Sequence, residues 1–153
     1  MPYKIFGGFK FFDRKEIKDI IAYLRSLRNP DDNLAFERII NTPSRKIGKT
    51  TIDKMKEYGV QHQMSLFDIT KSIESLPIDI GPTTKKSIKQ FGHLLAFWSA
   101  GLASLSVADL IQKIVNDIRY HDYLRKDHSE AEADEKYDNI GQLINFAKKF
   151  DQT

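Results

Sequence analysis

Apolar residues recur every three to four positions along most of this chain, a period that commits it to amphipathic helices packed against one another. The clearest stripe is Val107, Leu110, Ile111, Ile114, Val115 and Ile118, which share one helical face behind Ser106-Val107-Ala108-Asp109, a start of the capping-box kind. An earlier stripe, Ile17, Ile20, Ile21 and Leu24, opens at Asp13-x-x-Glu16 and is stopped by Asn29-Pro30, which predicts a helix from about Arg14 to Arg28. Another begins after Asp31-Asp32, carries Leu34, Phe36, Ile39 and Ile40, and ends before Pro43, because the residue ahead of proline is pushed out of the α region. Between Asp127 and Asp138 six acids face one lysine, so that stretch reads as a solvated loop and helix start. Beyond it Tyr137, Ile140, Ile144 and Ala147 restore the stripe. Extended structure is signalled only by Tyr3-Lys4-Ile5-Phe6 and Phe9-Lys10-Phe11-Phe12 around Gly7-Gly8. The expectation is a mainly α fold with a short N-terminal extended segment, one domain over residues 1–153.

Composition removes several classes of function. There is no cysteine, which excludes a disulfide framework and thiolate metal sites, and His62, His93, His121 and His128 have no ligand spacing. No apolar run approaches the roughly 18 residues of a membrane span, and no leader pattern opens the chain, so the expected location is cytoplasmic and the expected partners exclude membrane. The abrupt start at Met1-Pro2-Tyr3 and the uncapped stop at Asp151-Gln152-Thr153 suggest a segment of a longer polypeptide. Asp31-Asp32 is a helix start without a second carboxylate group at catalytic spacing, and Trp98 among Phe91, Leu94, Leu95 and Phe97 is expected in the core. His121-Asp122 between Tyr120 and Tyr123 has no neighbouring nucleophile and is expected to be a packed aromatic edge. The formal charge of +3, from 24 basic and 21 acidic side chains, is too small to imply nucleic acid by itself. Local charge has to decide.

It does so at an internal echo. Ile47-Gly48-Lys49-Thr50-Thr51 recurs as Ile80-Gly81-Pro82-Thr83-Thr84, and Met55 and Ile88 each follow seven residues after the glycine. In a helix-hairpin-helix-like turn a glycine lets a phosphate approach the backbone, and the free N–H groups of the next helix donate to its oxygens. Arg45, Lys46, Lys49, Lys54 and Lys56 surround the first glycine with Asp53 as the one acid, while Lys85, Lys86 and Lys89 follow the second. Arg45, Gly48, Lys49, Thr50 and Thr51 are therefore the primary candidates for phosphate contact, supported by Lys46 and Lys54, with Lys85, Lys86 and Lys89 as a second set. Such contacts are blind to base sequence and sensitive to salt. The same residues equally describe two ordinary helix starts with solvated lysines, and Pro82 removes one amide from the second turn. A P-loop is excluded, since Pro43 stands where that motif needs its first glycine and a helix rather than a strand leads in. A nuclease or glycosylase built on such turns would need a catalytic carboxylate or lysine pocket that the sequence does not offer.

Over the first third of the chain the residues also resemble a family. Pro2-Tyr3-x-Ile5-x-Gly7-Gly8, Phe11-Phe12-Asp13-Arg14-x-Glu16-Ile17-Lys18-Asp19, Tyr23-Leu24-Arg25, Asn29-Pro30-x-Asp32, Phe36-x-Arg38-Ile39-Ile40-Asn41-x-Pro43 and Arg45-x-Ile47-Gly48 are similar to the UvrD/PcrA/Rep helicases. Later residues match in helical pattern, and Asn139-Ile140 resembles a later helix of the same region. The resemblance implies the helical 2B accessory subdomain, with residues 1–12 at its junction with the 2A motor subdomain. It implies a parent that is an ATP-dependent helicase moving 3′ to 5′ in DNA repair or replication restart. The implied partners are double-stranded DNA at a single-strand/duplex junction and the motor subdomains, and 2B is expected to swivel over the duplex and so regulate unwinding. Lys46 replaces the first glycine of the family's Gly-Ile-Gly turn, which implies a stiffer backbone and a charge contact in place of an amide contact. No Walker motif lies in this sequence, so no catalytic residue and no cofactor is expected here, and ATP and Mg2+ belong to the parent. The rival expectation is a protein-docking or autoinhibitory helical module whose lysines are only solvated.

Overall fold

The structure is a computed structural model and describes residues 9–152. Among these residues it is helical, with nine helices and no strand: α1 (Phe9–Asp13), α2 (Lys15–Arg28), α3 (Asn33–Ile39), α4 (Lys49–His62), α5 (Leu66–Lys71), α6 (Pro82–Gly101), α7 (Val107–Asp117), α8 (Tyr120–Asp127) and α9 (Glu130–Asp151). The mainly α expectation therefore holds. Two local expectations do not. Phe9-Lys10-Phe11-Phe12 is a helical turn and not a strand, with Phe11 buried and set edge-on to Phe12 at 5.2 Å. Tyr3–Phe6 lies outside the described residues. The acidic stretch 127–138 is mostly helix, because Glu130 and Glu132 occupy the first turn of α9, where the dipole favours negative charge, and Ala133 is fully buried. No helix of the described residues is long and apolar enough to cross a membrane.

The chain divides into two compact units, Met1–Ile21 with Ser104–Thr153 and Ala22–Ala103. In the first, α9 packs on α7 and α8, and the stripe of Leu110, Ile111, Ile114 and Val115 is buried as its period requires. Ser106 caps α7 through its hydroxyl, and Asp151 at the end of α9 also accepts from the Val107 and Ala108 amides, at 3.2 and 3.0 Å. Two acids of α2 lie inside this unit. Glu16, in the first turn of α2, accepts from Asn139 at 2.9 Å with Lys136 at 3.7 Å, and Asp19 accepts from Tyr120 at 2.7 Å and Lys15 at 3.2 Å. Both are almost wholly buried, so these donors offset a large desolvation cost.

Burial and the neighbouring Asp19 carboxylate push the Tyr120 hydroxyl above its ordinary pKa. At Lys15 burial works downward but is outweighed by the hydrogen bond its ammonium donates to the Tyr123 hydroxyl and by Asp19, so its pKa is also raised. Above about pH 10 the unfolded chain releases these protons while the folded chain retains them, so stability that is complete below that pH declines as pH rises. Tyr120→Phe is expected to cost about 2 kcal/mol at neutral pH, the value of a hydrogen bond to a charged group, and to make the alkaline decline shallower. Urea unfolding at pH 7 and at alkaline pH checks both parts.

In the second unit α3, α5 and α6 surround a core in which Phe36 meets Phe91 at 5.8 Å and Phe67 at 6.4 Å, and Tyr23 meets Trp98 edge-on at 5.5 Å. One glycine is required by this packing and a second sits tightly in it. A Cβ at Gly59 would stand 2.5 Å from the Met64 carbonyl oxygen, and one at Gly92 would stand 3.0 Å from that of Thr70.

Candidate nucleic-acid interface

Both copies of the echo lie in the second unit, each at the start of a long helix. Gly48 is the N-cap of α4 and Gly81 the N-cap of α6, in ordinary extended geometry at φ −73° and −59°. Neither glycine is required by this chain, since a Cβ at either position would meet nothing within 4 Å. Neither helix has a side-chain cap or an acid in its first turn. The contrast with the other helices is consistent: Asp32, Ser65, Ser106 and Ser129 cap theirs, and α2 and α8 carry Glu16 and Asp122 in the first turn. Among α2 to α9, the two starts with neither a capping side chain nor an acid in the first turn are thus the two Gly-x-Thr-Thr turns. Met55 and Ile88 are both fully buried, so each turn is anchored to the core at the same distance from its glycine.

At the first turn Lys46, Gly48, Lys49 and Thr50 are exposed and Thr51 is half-buried. Among the described residues Lys46 and Lys49 make no ion pair or side-chain hydrogen bond. Lys54 donates to the Asp79 carbonyl at 2.9 Å, tying α4 to the loop that leads into Gly81. Lys56 is paired with Glu37 at 3.2 Å. At the second turn Pro82 fills the first helical turn, Lys86 is exposed, Lys85 is half-buried, and Lys89 is paired with Glu74 at 3.1 Å, well along α6. Asp53 and Asp79 are exposed, and the Asp79 carboxylate lies 3.9 Å from the Lys54 ammonium.

Arg45 departs from its expected place. Its guanidinium turns inward, donating from Nη1 to the carbonyls of Ile39 (2.7 Å) and Ile40 (3.1 Å) and from Nη2 to the Tyr23 hydroxyl (2.8 Å), and it stacks 4.1 Å above Phe91. The Tyr23 hydroxyl in turn donates to the Thr42 carbonyl. Arg45, expected as a primary phosphate contact, has its guanidinium engaged at the end of α3, where the Ile39 carbonyl also accepts from the Thr42 amide at 3.0 Å.

Lys46 has φ 59°, in the left-handed region. A side chain there costs about 1–2 kcal/mol relative to glycine, which explains why glycine suits this position. The neighbouring backbone is held by Asn41, a residue that helical periodicity does not single out. Its Oδ1 accepts from the amides of Arg45 (3.2 Å) and Ile47 (3.1 Å), and its Nδ2 donates to the Ile47 carbonyl. Among the described residues no group of three His, Asp or Glu side chains is placed to hold a metal ion.

The family described as UvrD-like helicase C-terminal domain matches residues 1–153. The chain is 39% identical over 153 residues to the ATP-dependent DNA helicase Rep of Buchnera aphidicola subsp. Schizaphis graminum, covering 97% of this chain and 22% of that protein. It is 33% identical over 152 residues to the ATP-dependent DNA helicase PcrA of Bacillus subtilis (99% and 20%), and 33% identical over 153 residues to a probable DNA helicase II homolog of Rickettsia conorii (98% and 23%). The chain spans about a fifth of the length of these curated relatives.

Proposed function

This chain belongs to the UvrD-like helicase C-terminal domain family, and we propose that within it the chain is the 2B subdomain, a module that holds duplex DNA by its phosphates and regulates unwinding. Residues 1–153 act together as that subdomain, with 1–12 at its junction with the motor. The whole protein is an ATP-dependent 3′ to 5′ DNA helicase of repair or replication, acting in the cytoplasm at single-strand/duplex junctions. Its ATP and Mg2+ are held by the motor subdomains, and this chain contributes no catalytic residue.

One observation carries the reading: α4 and α6 start at glycines that the fold does not need, with no cap and no acid in front of their free amides. A phosphate supplies the negative charge that such a helix start lacks. Lys46 and Lys49 add long-range attraction, Thr50 and Thr51 offer hydroxyls, and Lys54, Lys85 and Lys86 flank the two turns. Lys89 supports this surface less directly because of its pairing with Glu74. No base edge is read by amides and lysines arranged this way, so binding is non-specific.

Lys46→Ala with Lys49→Ala is expected to reduce the slope of log K against log salt by about 2, since each phosphate contact on B-form DNA contributes about 0.9. Titration of a labelled duplex across a salt series measures it. A protein-docking module with solvated lysines would keep the parent's slope.

A further inference from the structure

The Asn41 side chain does for Ile47 what a neighbouring β-strand would do, accepting from its N–H and donating to its carbonyl, and it also accepts from the Arg45 N–H. These three bonds grip the backbone on both sides of Lys46, which holds a left-handed conformation at φ 59° that a side-chain-bearing residue leaves readily when unsupported. From the other end, Arg45 is fixed to Tyr23, Ile39, Ile40 and Phe91. Immediately after the gripped segment comes Gly48 and the uncapped start of α4.

We infer that Asn41 is a positioning residue for duplex binding: its carboxamide fixes the turn before DNA arrives, so the amides of the first turn of α4 already point at the phosphate. This rests on the duplex-contacting reading above. Asn41 touches no DNA itself. Its effect is to remove the ordering cost that a loose turn would incur on binding. A glycine at position 46 would adopt the left-handed backbone without strain, so the clip matters most while lysine stands there.

The test is a cycle of the 153-residue chain, Asn41→Ala, Lys46→Gly and the double variant, each titrated with a labelled duplex over a salt series. Asn41→Ala is expected to weaken binding about tenfold, or about 1.4 kcal/mol, with the salt slope of the parent, because the same phosphates are engaged once the turn forms. In the Lys46→Gly background the same change is expected to weaken binding only about threefold, compared at a temperature where circular dichroism shows every variant fully folded, so that the coupling reports the turn and not global stability. The Arg45 and Ile47 amides should lose hydrogen-exchange protection in Asn41→Ala while the amides of α6 keep theirs. Should Asn41→Ala fail to fold, Lys46→Gly against the double variant still decides, since relief of strain at position 46 favours the folded chain: weaker binding with lost exchange protection at the Arg45 and Ile47 amides supports the inference, and unchanged affinity overturns it. Equal losses in both backgrounds, or parental affinity in Asn41→Ala, would overturn the inference while leaving the duplex reading intact. Absence of salt-dependent binding in the parent chain would overturn both.

Discussion

Gly48→Asp is expected to leave the fold at least as stable as the parent while lowering duplex affinity at least a hundredfold. The backbone at Gly48 is open to any residue, and a Cβ there meets nothing. Aspartate is among the preferred N-caps, and its charge complements the helix dipole, so a gain of about 0.5 kcal/mol is expected in a urea melt. The same carboxylate would occupy the amides proposed to receive a phosphate and would repel the next one, a like-charge arrangement that costs several kcal/mol. Stability and binding therefore move in opposite directions from one substitution. An ordinary helix start would gain the stability and lose no affinity, and that pairing of results would remove the interface.

Arg45→Ala is expected to cost about 3 kcal/mol of folding stability, the largest stability effect anticipated for a single residue of this turn. The change deletes three guanidinium hydrogen bonds and a stacking contact, and it leaves the Ile40 carbonyl without the guanidinium while that of Ile39 keeps the Thr42 amide. Arg45→Lys should recover little of it, because one ammonium cannot span two carbonyls and a hydroxyl while lying flat on Phe91. Chemical denaturation gives the cost, and duplex titration of the folded variant should give the parental salt slope. A shallower slope at unchanged stability would return Arg45 to the phosphate-contacting surface.

Sequence reasoning located the helices that carry a long apolar period. Residues 17–24, 36–40 and 107–118 were legible because burial on one face imposes that period directly, whereas Leu34, read into the same stripe, is exposed. Four consecutive residues at Phe9–Phe12 are too few to distinguish a helical turn from a strand, and β-prone aromatic side chains tipped the reading the wrong way. The acids of 130–138 looked like a loop because surface charge hides a helix whose first buried position is a single small residue, Ala133. At the candidate interface the exposed lysines and both glycines could be found by repetition. The inward turn of Arg45 could not, since Tyr23 and Phe91 lie 22 residues before it and 46 after it. Asn41 was missed for a related reason: a side chain that replaces a strand leaves no periodic trace. The Asp151 cap on α7 joins positions 44 residues apart and was equally hidden.

The two bare helix starts also have a consequence for the heat of binding. With no side chain in front of them, the leading amides of α4 and α6 are wetted in the unbound chain, and a phosphate arriving there takes over bonds that solvent was already making. Little enthalpy changes hands in such a swap, and the driving force comes from the water and counterions set loose. Grip of this kind should therefore vary little with warming, and depend far more on how many ions crowd the polymer than on how hot the solution is.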